Sequence, residues 1–258
     1  MKSFVRSHQE LLWRIVAIGV LLGVPLAFAD WDFLQKLDFG AVWKYRATLL
    51  SGLATTIAYT LGGIGVGYPL GLCLAILGRS KLIAIRAIVI AYVEFWRNTP
   101  LLVQLFWIHF ALPLIIGGSL TTAQSGFIAL TANIGAYYCE VARAGINSIS
   151  SGQWDAARAL GLRGVPTWRL IIFPQALRII IPPSTNLILS IFKATSILSI
   201  LGIGELMRET VRLSNFTFRV VEFYTATAFL YLIFGLVVAI LSRRLEKHLD
   251  GGATRSGF

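Results

Sequence analysis

Charged side chains are scarce in this sequence. Only 14% of its 258 residues are Asp, Glu, Lys or Arg, against about a quarter in an ordinary soluble domain. Cysteine is rarer still, with two residues, Cys73 and Cys139, that stand far apart and in no C-x-x-C pair. The sequence therefore predicts neither a disulfide framework nor a cysteine metal site.

Motifs for nucleotide binding and catalysis are also missing. The pattern G-x-x-x-x-G-K-[ST] occurs nowhere, so the chain lacks the loop that usually cradles the phosphates of ATP. Its three histidines are scattered, and no two carboxylates stand at catalytic spacing. We therefore expect no catalytic residue, no metal ion and no cofactor in this chain, and no enzymatic activity.

Long apolar stretches are what the sequence has instead. Hydrophobic residues make up 56% of the chain, and its mean hydropathy is +0.74. A membrane span needs about 20 apolar residues, and six stretches qualify: residues 11–29, 48–77, 87–112, 125–142, 170–204 and 224–241. This pattern predicts an all-α integral membrane protein. The first stretch, which ends in Ala27-Phe28-Ala29, also fits a cleaved signal peptide, and both interpretations stay open.

Basic residues predict the orientation. The net charge is +11; in a membrane protein this indicates cytoplasmic loops and anionic headgroups rather than nucleic acid. With the N-terminus inside, fourteen Lys and Arg residues fall in inner segments and six in outer ones. We therefore expect both termini in the cytoplasm.

A loop within residues 143–183 differs from the other connections. Ser150 and Gln153 have the spacing of a helix capping box. Residues 154–160 follow and are mostly good helix formers. Gly161, Gly164 and Pro166 then provide residues that end helices. The pattern predicts a short helix of two to three turns on the cytoplasmic side. Composition alone also allows an amphipathic helix that lies on the membrane surface.

The spacing within this loop resembles a known motif. Three residues separate Asp155-Ala156-Ala157 from Gly161. Nine residues then separate Gly161 from Ile171, which is followed by Phe173 and Pro174. This resembles the EAA loop of ABC importer permeases: acidic-Ala-Ala, three residues, Gly, nine residues, Ile-x-Leu-Pro. Asp155 stands where glutamate is usual and Phe173 where leucine is usual; both keep the charge sign or the apolar character.

Three other stretches resemble the polar amino acid branch of these binding-protein-dependent permeases. The run from Trp96 to Leu105 is similar to Arg-Gly-Thr-Pro-Leu-Leu-Val-Gln, with Asn98 in place of glycine. Tyr138–Arg143 and Phe192–Ser196 also match that branch. The likeness covers residues 48–245.

The resemblance implies a type I ABC importer transmembrane domain with a five-helix core plus one N-terminal transmembrane helix. Its expected divisions are residues 1–47 (first helix and periplasmic segment), 48–245 (the transmembrane domain, with a coupling loop at about 150–174) and 246–258 (a cytoplasmic tail). By this resemblance the short loop helix spans residues 152–165 and would dock on a separate ATPase subunit, which would bind the ATP and Mg²⁺. The expected coupling residues are Asp155, Ala156, Ala157, Arg158 and Gly161.

Further partners follow from the same resemblance. They are a second permease subunit (in a homodimer or a heterodimer), a periplasmic amino acid-binding protein, an amino acid substrate and the lipid of a bacterial inner membrane. The external segment Asp30–Phe33 and the extra first span resemble permeases for acidic amino acids such as glutamate and aspartate. An ATP-independent secondary transporter is the alternative, although the inverted halves of such proteins are not evident.

Charged residues inside spans usually face protein or water and often serve a transport pathway. Glu94 and Arg97 stand three apart on one helix face, so they can form an ion pair or contact substrate. Glu140 has the same spacing from Arg143, and we expect these two to pair. The candidate residues of the translocation pathway are Glu94, Arg97, Asn98, Thr99, Lys193, Thr195 and Ser196.

Two further sequence features concern helix packing. Gly63, Gly67 and Gly71 share one helix face, which predicts the close approach of another helix. Pro100, Pro182 and Pro183 are expected to interrupt their helices.

Overall fold

The structure is a computed structural model that describes the backbone of residues 30–250 and the side chains of residues 30–244. The first predicted span, residues 11–29, lies outside the described residues. Of these, residues 30–41 belong to one compact unit and residues from Val42 onward to another, and the second unit holds the sites described below.

Every regular element in this part of the chain is helical. In order they are α1 (Trp31–Gln35), α2 (Gly40–Lys44), α3 (Arg46–Leu77), α4 (Ile83–Asn98), α5 (Leu101–Phe106), a π-helical turn (Trp107–Ala111), α6 (Leu112–Ile116), α7 (Thr122–Asn147), α8 (Ser151–Ala159), α9 (Val165–Thr167), a second π-helical turn (Trp168–Ile172), α10 (Phe173–Ala194), a 3-10 helix (Thr195–Leu201), α11 (Leu206–Thr217) and α12 (Val220–Asp250). The predicted all-α class is confirmed.

Three helical runs are long and apolar enough to cross a membrane: α3, the continuous run Val165–Leu201 and Val220–Arg244. Ile83–Asn98 and Leu101–Ile116 pass the same test together, as a pair bent by 108°. The fourth predicted span, residues 125–142, lies within α7, which is long enough but less apolar. Helix α7 contacts α3, α4, α5 and α10, and its polar residues Ser125 and Thr131 are buried.

Glycines bring α3 and α7 into close contact. A Cβ on Gly67 would lie 2.5 Å from Ile134, and a Cβ on Gly71 would lie 2.6 Å from the carbonyl oxygen of Gly135. Real side chains do not approach this closely, so only glycine fits at these positions. Gly63, Gly67 and Gly71 are all buried, and the predicted role of the stripe in helix packing is confirmed.

Pro100 separates α4 from α5. Proline has no N–H and disfavours helical backbone in the preceding residue, and Thr99 is extended, with φ −108° and ψ 144°. Nearby carbonyl groups are satisfied by side chains. Gln104 Nε2 donates to the carbonyl oxygens of Trp96 (2.9 Å) and Thr99 (3.0 Å), and Asn133 Nδ2 also donates to that of Trp96 (3.0 Å). The predicted interruption at Pro100 is confirmed.

We expect Gln104→Leu to destabilise the protein. Gln104 is 3% exposed, and its loss leaves buried carbonyl groups at the break with fewer donors, at a cost of about 1–3 kcal/mol. The measurement is the melting temperature of the purified protein in detergent. Val103→Leu, at the exposed neighbouring position, is the control; equal melting temperatures for the two variants would contradict this account of the break.

The interruption predicted at Pro182 and Pro183 is wrong. Helix α10 continues through both prolines without a break. Prolines are tolerated within spans because side chains and neighbouring helices satisfy the freed backbone groups.

A buried carboxylate connects the chain after the 3-10 helix to two spans. Glu205 is fully buried and caps α11 by accepting a hydrogen bond from Arg208 N at 2.7 Å. It also accepts hydrogen bonds from the hydroxyls of Thr56 on α3 and Tyr231 on α12, each at 3.3 Å. Burial raises the pKa of the Glu205 carboxyl, and these hydrogen bonds oppose the shift. The start of α11 is thereby fixed against both spans.

Candidate functional site

The break between α4 and α5 opens onto a cavity of about 600 Å³. Its walls come from α4, the break itself, α5, α7, α10 and the 3-10 helix. The lining residues are Arg97, Asn98, Thr99, Pro100, Leu101, Leu130, Asn133, Tyr137, Leu187, Ser190, Ile191, Ala194 and Ile197. Three of the predicted pathway residues, Arg97, Asn98 and Thr99, are thus brought together, because the break turns consecutive residues toward one space.

One ion pair beside the cavity runs between α4 and α7, and its carboxylate also takes part in a second pair within α7. Arg97 Nη1 lies 3.2 Å from Glu140 on α7, and Arg143 lies 2.8 Å from the same carboxylate. Glu94 instead accepts a hydrogen bond from Asn98. The predicted Glu94–Arg97 pair is therefore wrong, since each side chain finds another partner, while the predicted Glu140–Arg143 pair is confirmed. Glu94 lines a separate cavity of about 210 Å³.

The Arg97 guanidinium is held on two sides. Besides its pair with Glu140, it lies over the Tyr137 ring, 5.6 Å from the ring centre. Its Nε is buried and has no hydrogen-bond partner among the described residues. A planar guanidinium fixed in this way is suited to binding a carboxylate.

The other predicted pathway residues are placed elsewhere. Lys193 is exposed. The hydroxyls of Thr195 and Ser196 donate to carbonyl oxygens of their own helical turn, those of Phe192 (2.7 Å) and Lys193 (2.8 Å). None of the three predicted residues lines the 600 Å³ cavity, to which the same segment contributes Ser190 instead.

Sequence reasoning missed three polar residues of the cavity: Asn133, Tyr137 and Ser190. Asn133 and Tyr137 stand four apart, so they share one face of α7. Polar residues on one face of an otherwise apolar stretch are a recognisable signal for a pathway or an interior face, and this signal could have identified them.

Helix α8 lies within the predicted coupling loop and is shorter than predicted, ending at Ala159. Its end forms a Schellman motif: Gly161 N donates to the carbonyl oxygen of Arg158 (3.0 Å), and Leu162 N donates to that of Ala157 (2.9 Å). Gly161 has φ +73°, a conformation that glycine adopts without strain. The helix end predicted at Gly161 is confirmed.

The capping box predicted at the start of α8 is wrong. Ser150 occupies the N-cap position, but its side chain makes no capping hydrogen bond. The Gln153 side chain is occupied elsewhere, because Gln175 Nε2 on α10 donates to its Oε1 at 3.1 Å. This contact holds α8 against the beginning of the next span.

The predicted coupling residues divide between two faces of α8. Asp155 and Arg158 form an ion pair with each other and are 62% and 70% exposed. Ala156 is exposed as well, whereas Ala157 is fully buried within the chain. The helix therefore presents a small residue beside a charge pair on its outer face.

No group of three His, Cys, Asp or Glu side chains that could hold a metal ion occurs in the described part of the chain. Cys139 is buried and Cys73 exposed, and neither is in a disulfide.

The chain matches the family model described as binding-protein-dependent transport system inner membrane component, over residues 67–251. The chain belongs to this family. As a family member it is a transport subunit of the inner membrane. It is similar to a putative glutamine transport system permease protein of Rickettsia bellii, with 34% identity over 201 residues, 78% of this chain and 92% of the relative.

A second relative of this family member is the glutamine transport system permease protein of Escherichia coli K12. It is 31% identical over 216 residues, which cover 83% of this chain and 99% of the relative. The resemblance that the sequence motifs predicted is thereby confirmed.

Solved structures give the same result. The family member is similar to a crystal structure of an amino acid ABC transporter with histidines, with a TM-score of 0.77 and 32% identity over 83% of this chain and 99% of that chain. The MetNI methionine ABC transporter, at 20% identity and a TM-score of 0.66 over 80% of this chain and 98% of that chain, supports the fold alone. The predicted type I importer fold is confirmed for the described residues.

Proposed function

We propose that this chain is the membrane-spanning permease of an ATP-driven importer for a polar amino acid. Its partners in this proposal are two ATPase subunits that bind ATP and Mg²⁺, a second permease that is identical or related, and a periplasmic amino acid-binding protein. Both termini lie in the cytoplasm, as the distribution of basic residues favours. The chain itself binds no cofactor.

The outer face of α8 is the observation that carries the proposal. Asp155, Ala156 and Arg158 are exposed there, while Gln153 and Ala157 hold the opposite face to the rest of the chain. The small side chain of Ala156 permits close approach of a partner surface, and the neighbouring charge pair offers polar contacts to it. We therefore assign α8 as the helix that docks on the ATPase and passes its movement to the spans.

The cavity at the Pro100 break supports the second part of the proposal, which is that the chain forms a translocation pathway. Its size is within the range of small-molecule sites, about 300–1,000 Å³. Its polar lining combines the Arg97 guanidinium with the amides of Asn98 and Asn133 and the hydroxyls of Tyr137 and Ser190. Such groups can hold the carboxylate and the polar side chain of an amino acid.

The lining favours an uncharged polar side chain over an acidic one. Arg97 is the one cation among the lining residues, and Glu140 already offsets its charge. An acidic amino acid would bring two carboxylates to this single paired cation. The two relatives described above are named as glutamine permeases, so the acidic substrate that the external segment suggested has no support from them. We propose a glutamine-type substrate.

We expect Arg97→Met to lower uptake by at least about tenfold, the effect of roughly 1.4 kcal/mol. The variant removes the cavity cation, while Glu140 keeps Arg143 as its partner, so the Glu140 carboxylate is not left unpaired. Uptake of labelled glutamine into proteoliposomes is the measurement. Arg143→Met is the matched control, because it removes the other partner of Glu140 without changing the 600 Å³ cavity. Equal uptake by the two variants would contradict the role of Arg97.

The test of the function uses the complex in proteoliposomes, with ATP and Mg²⁺ on the ATPase side and binding protein on the other. We expect accumulation of glutamine that requires both, with weak competition by glutamate. Uptake without ATP would instead identify a secondary transporter. Competition by glutamate alone would overturn the glutamine-type substrate and leave the acidic one.

A further inference from the structure

One arginine lies where the loop helix meets the ends of the two spans α3 and α7. Arg79 follows the end of α3. Its Nη1 donates to Asn147 Oδ1, at the end of α7, at 2.6 Å. Its guanidinium carbon lies 5.6 Å from the ring centre of Trp154 on α8 and 5.8 Å from that of Trp168 at the start of the second π-helical turn. Four segments of the chain therefore meet at one side chain.

The two indole rings join α8 to the next span independently of Arg79. Trp154 and Trp168 meet edge to face with centres 5.4 Å apart, and Gln153 accepts the hydrogen bond of Gln175. Both contacts lead from α8 to the run that contains α10. The same indole rings pack against a buried cluster that includes Ala75 of α3 and Ile146 of α7, and Arg79 adds a polar contact to the end of α7.

Helices α3 and α7 pack without space between them at Gly67 and Gly71, so we expect them to move as a pair. Helix α10 also packs against α7, where Gly145 faces Ile180, and Arg79 adds a contact between α8 and the ends of this pair. The guanidinium is suited to connecting them, because it stacks on aromatic faces and donates hydrogen bonds in its plane at the same time.

We propose that Arg79 is a positioning residue for energy coupling: it makes the α3–α7 pair follow the movement of α8. Arg79 does not contact the predicted ATPase surface or the cavity; it acts through Trp154, Trp168 and Asn147. This inference rests on the proposed role of α8 as the docking helix.

The first test compares uptake per ATP hydrolysed in proteoliposomes of the whole complex. For Arg79→Ala we expect ATP hydrolysis to persist and uptake per ATP to fall roughly tenfold, within the range of coupling energies between sites. Arg79→Lys keeps the charge but not the planar guanidinium, so its uptake per ATP should lie between those of Arg79→Ala and the wild type. Arg86→Ala, at an exposed arginine of the neighbouring α4, should match the wild type.

Unchanged uptake per ATP in Arg79→Ala would overturn the inference. So would a parallel loss of hydrolysis and uptake, because it would show that Arg79 only maintains the docking surface. If Arg79→Ala does not assemble, Asn147→Ala replaces it, because this variant removes the acceptor of the 2.6 Å hydrogen bond. Its uptake per ATP should then fall, and an unchanged value would overturn the inference.

A second measurement does not depend on transport. Spin labels on the exposed Cys73 of α3 and on Ser151→Cys of α8 report the distance between these helices in the full chain. We expect a narrow distribution in the wild type and in Arg86→Ala, and a broad one in Arg79→Ala. Equal widths in all three would overturn the positioning role, whereas a narrow wild-type distribution without ATP-driven uptake would overturn the proposed function alone.

Discussion

Replacing Ala156 with glutamate is expected to abolish ATP-driven uptake while the membrane helices stay folded. Ala156 is exposed on α8, next to Asp155. Glutamate is a good helix former, so α8 itself persists. The new side chain keeps a partner surface away from the helix, and its charge adds to that of Asp155. The measurements are uptake into proteoliposomes and the melting temperature in detergent.

The control for this prediction is at the same position. Ala156→Ser keeps a small, uncharged side chain there, and should leave uptake close to that of the wild type. Ala157→Glu cannot serve, because Ala157 is fully buried and a carboxylate there would disturb the loop itself. Normal uptake by Ala156→Glu would show that the outer face of α8 does not dock on a partner.

Gly71→Val is expected to destabilise the membrane domain by about 3 kcal/mol, at the upper end of ordinary overpacking effects. A Cβ at this position would lie 2.6 Å from Gly135 O and 2.8 Å from Cys139 N. Both atoms belong to the α7 backbone, so no side-chain rotation relieves the clash and the helices must separate. We expect a large loss of folded protein in detergent, measured by its melting temperature and its elution as a single species.

Gly65→Val is the matched control for this variant. Gly65 lies on the same helix, and a Cβ there would meet no atom within 4 Å. The two substitutions add the same side chain and remove the same backbone freedom, so their difference reports the contact with α7. Equal melting temperatures would mean that α3 and α7 do not pack as described.

Features that depend on local rules were predictable from the sequence. The glycine stripe, the break at Pro100 and the end of α8 at Gly161 each follow from the backbone properties of one residue type. The apolar stretches likewise predicted the spans that the described residues contain, because the length of a span is set by the thickness of the bilayer.

Features that depend on contacts between helices were not predictable in this way. The partner of Arg97 is Glu140, 43 positions along the chain and on another helix, whereas sequence spacing offered only Glu94. Gln153 does not cap α8 because Gln175 occupies its side chain.

The central claim is that this chain works as the membrane subunit of an ABC importer. Its most direct test is purification of the full chain from detergent-solubilised membranes of a host that expresses the whole system, followed by identification of the proteins that co-purify. We expect an ATPase with a Walker motif that co-purifies with the wild type and with Ala156→Ser and is lost with Ala156→Glu. A chain that purifies alone and still moves amino acid in vesicles without ATP would contradict it.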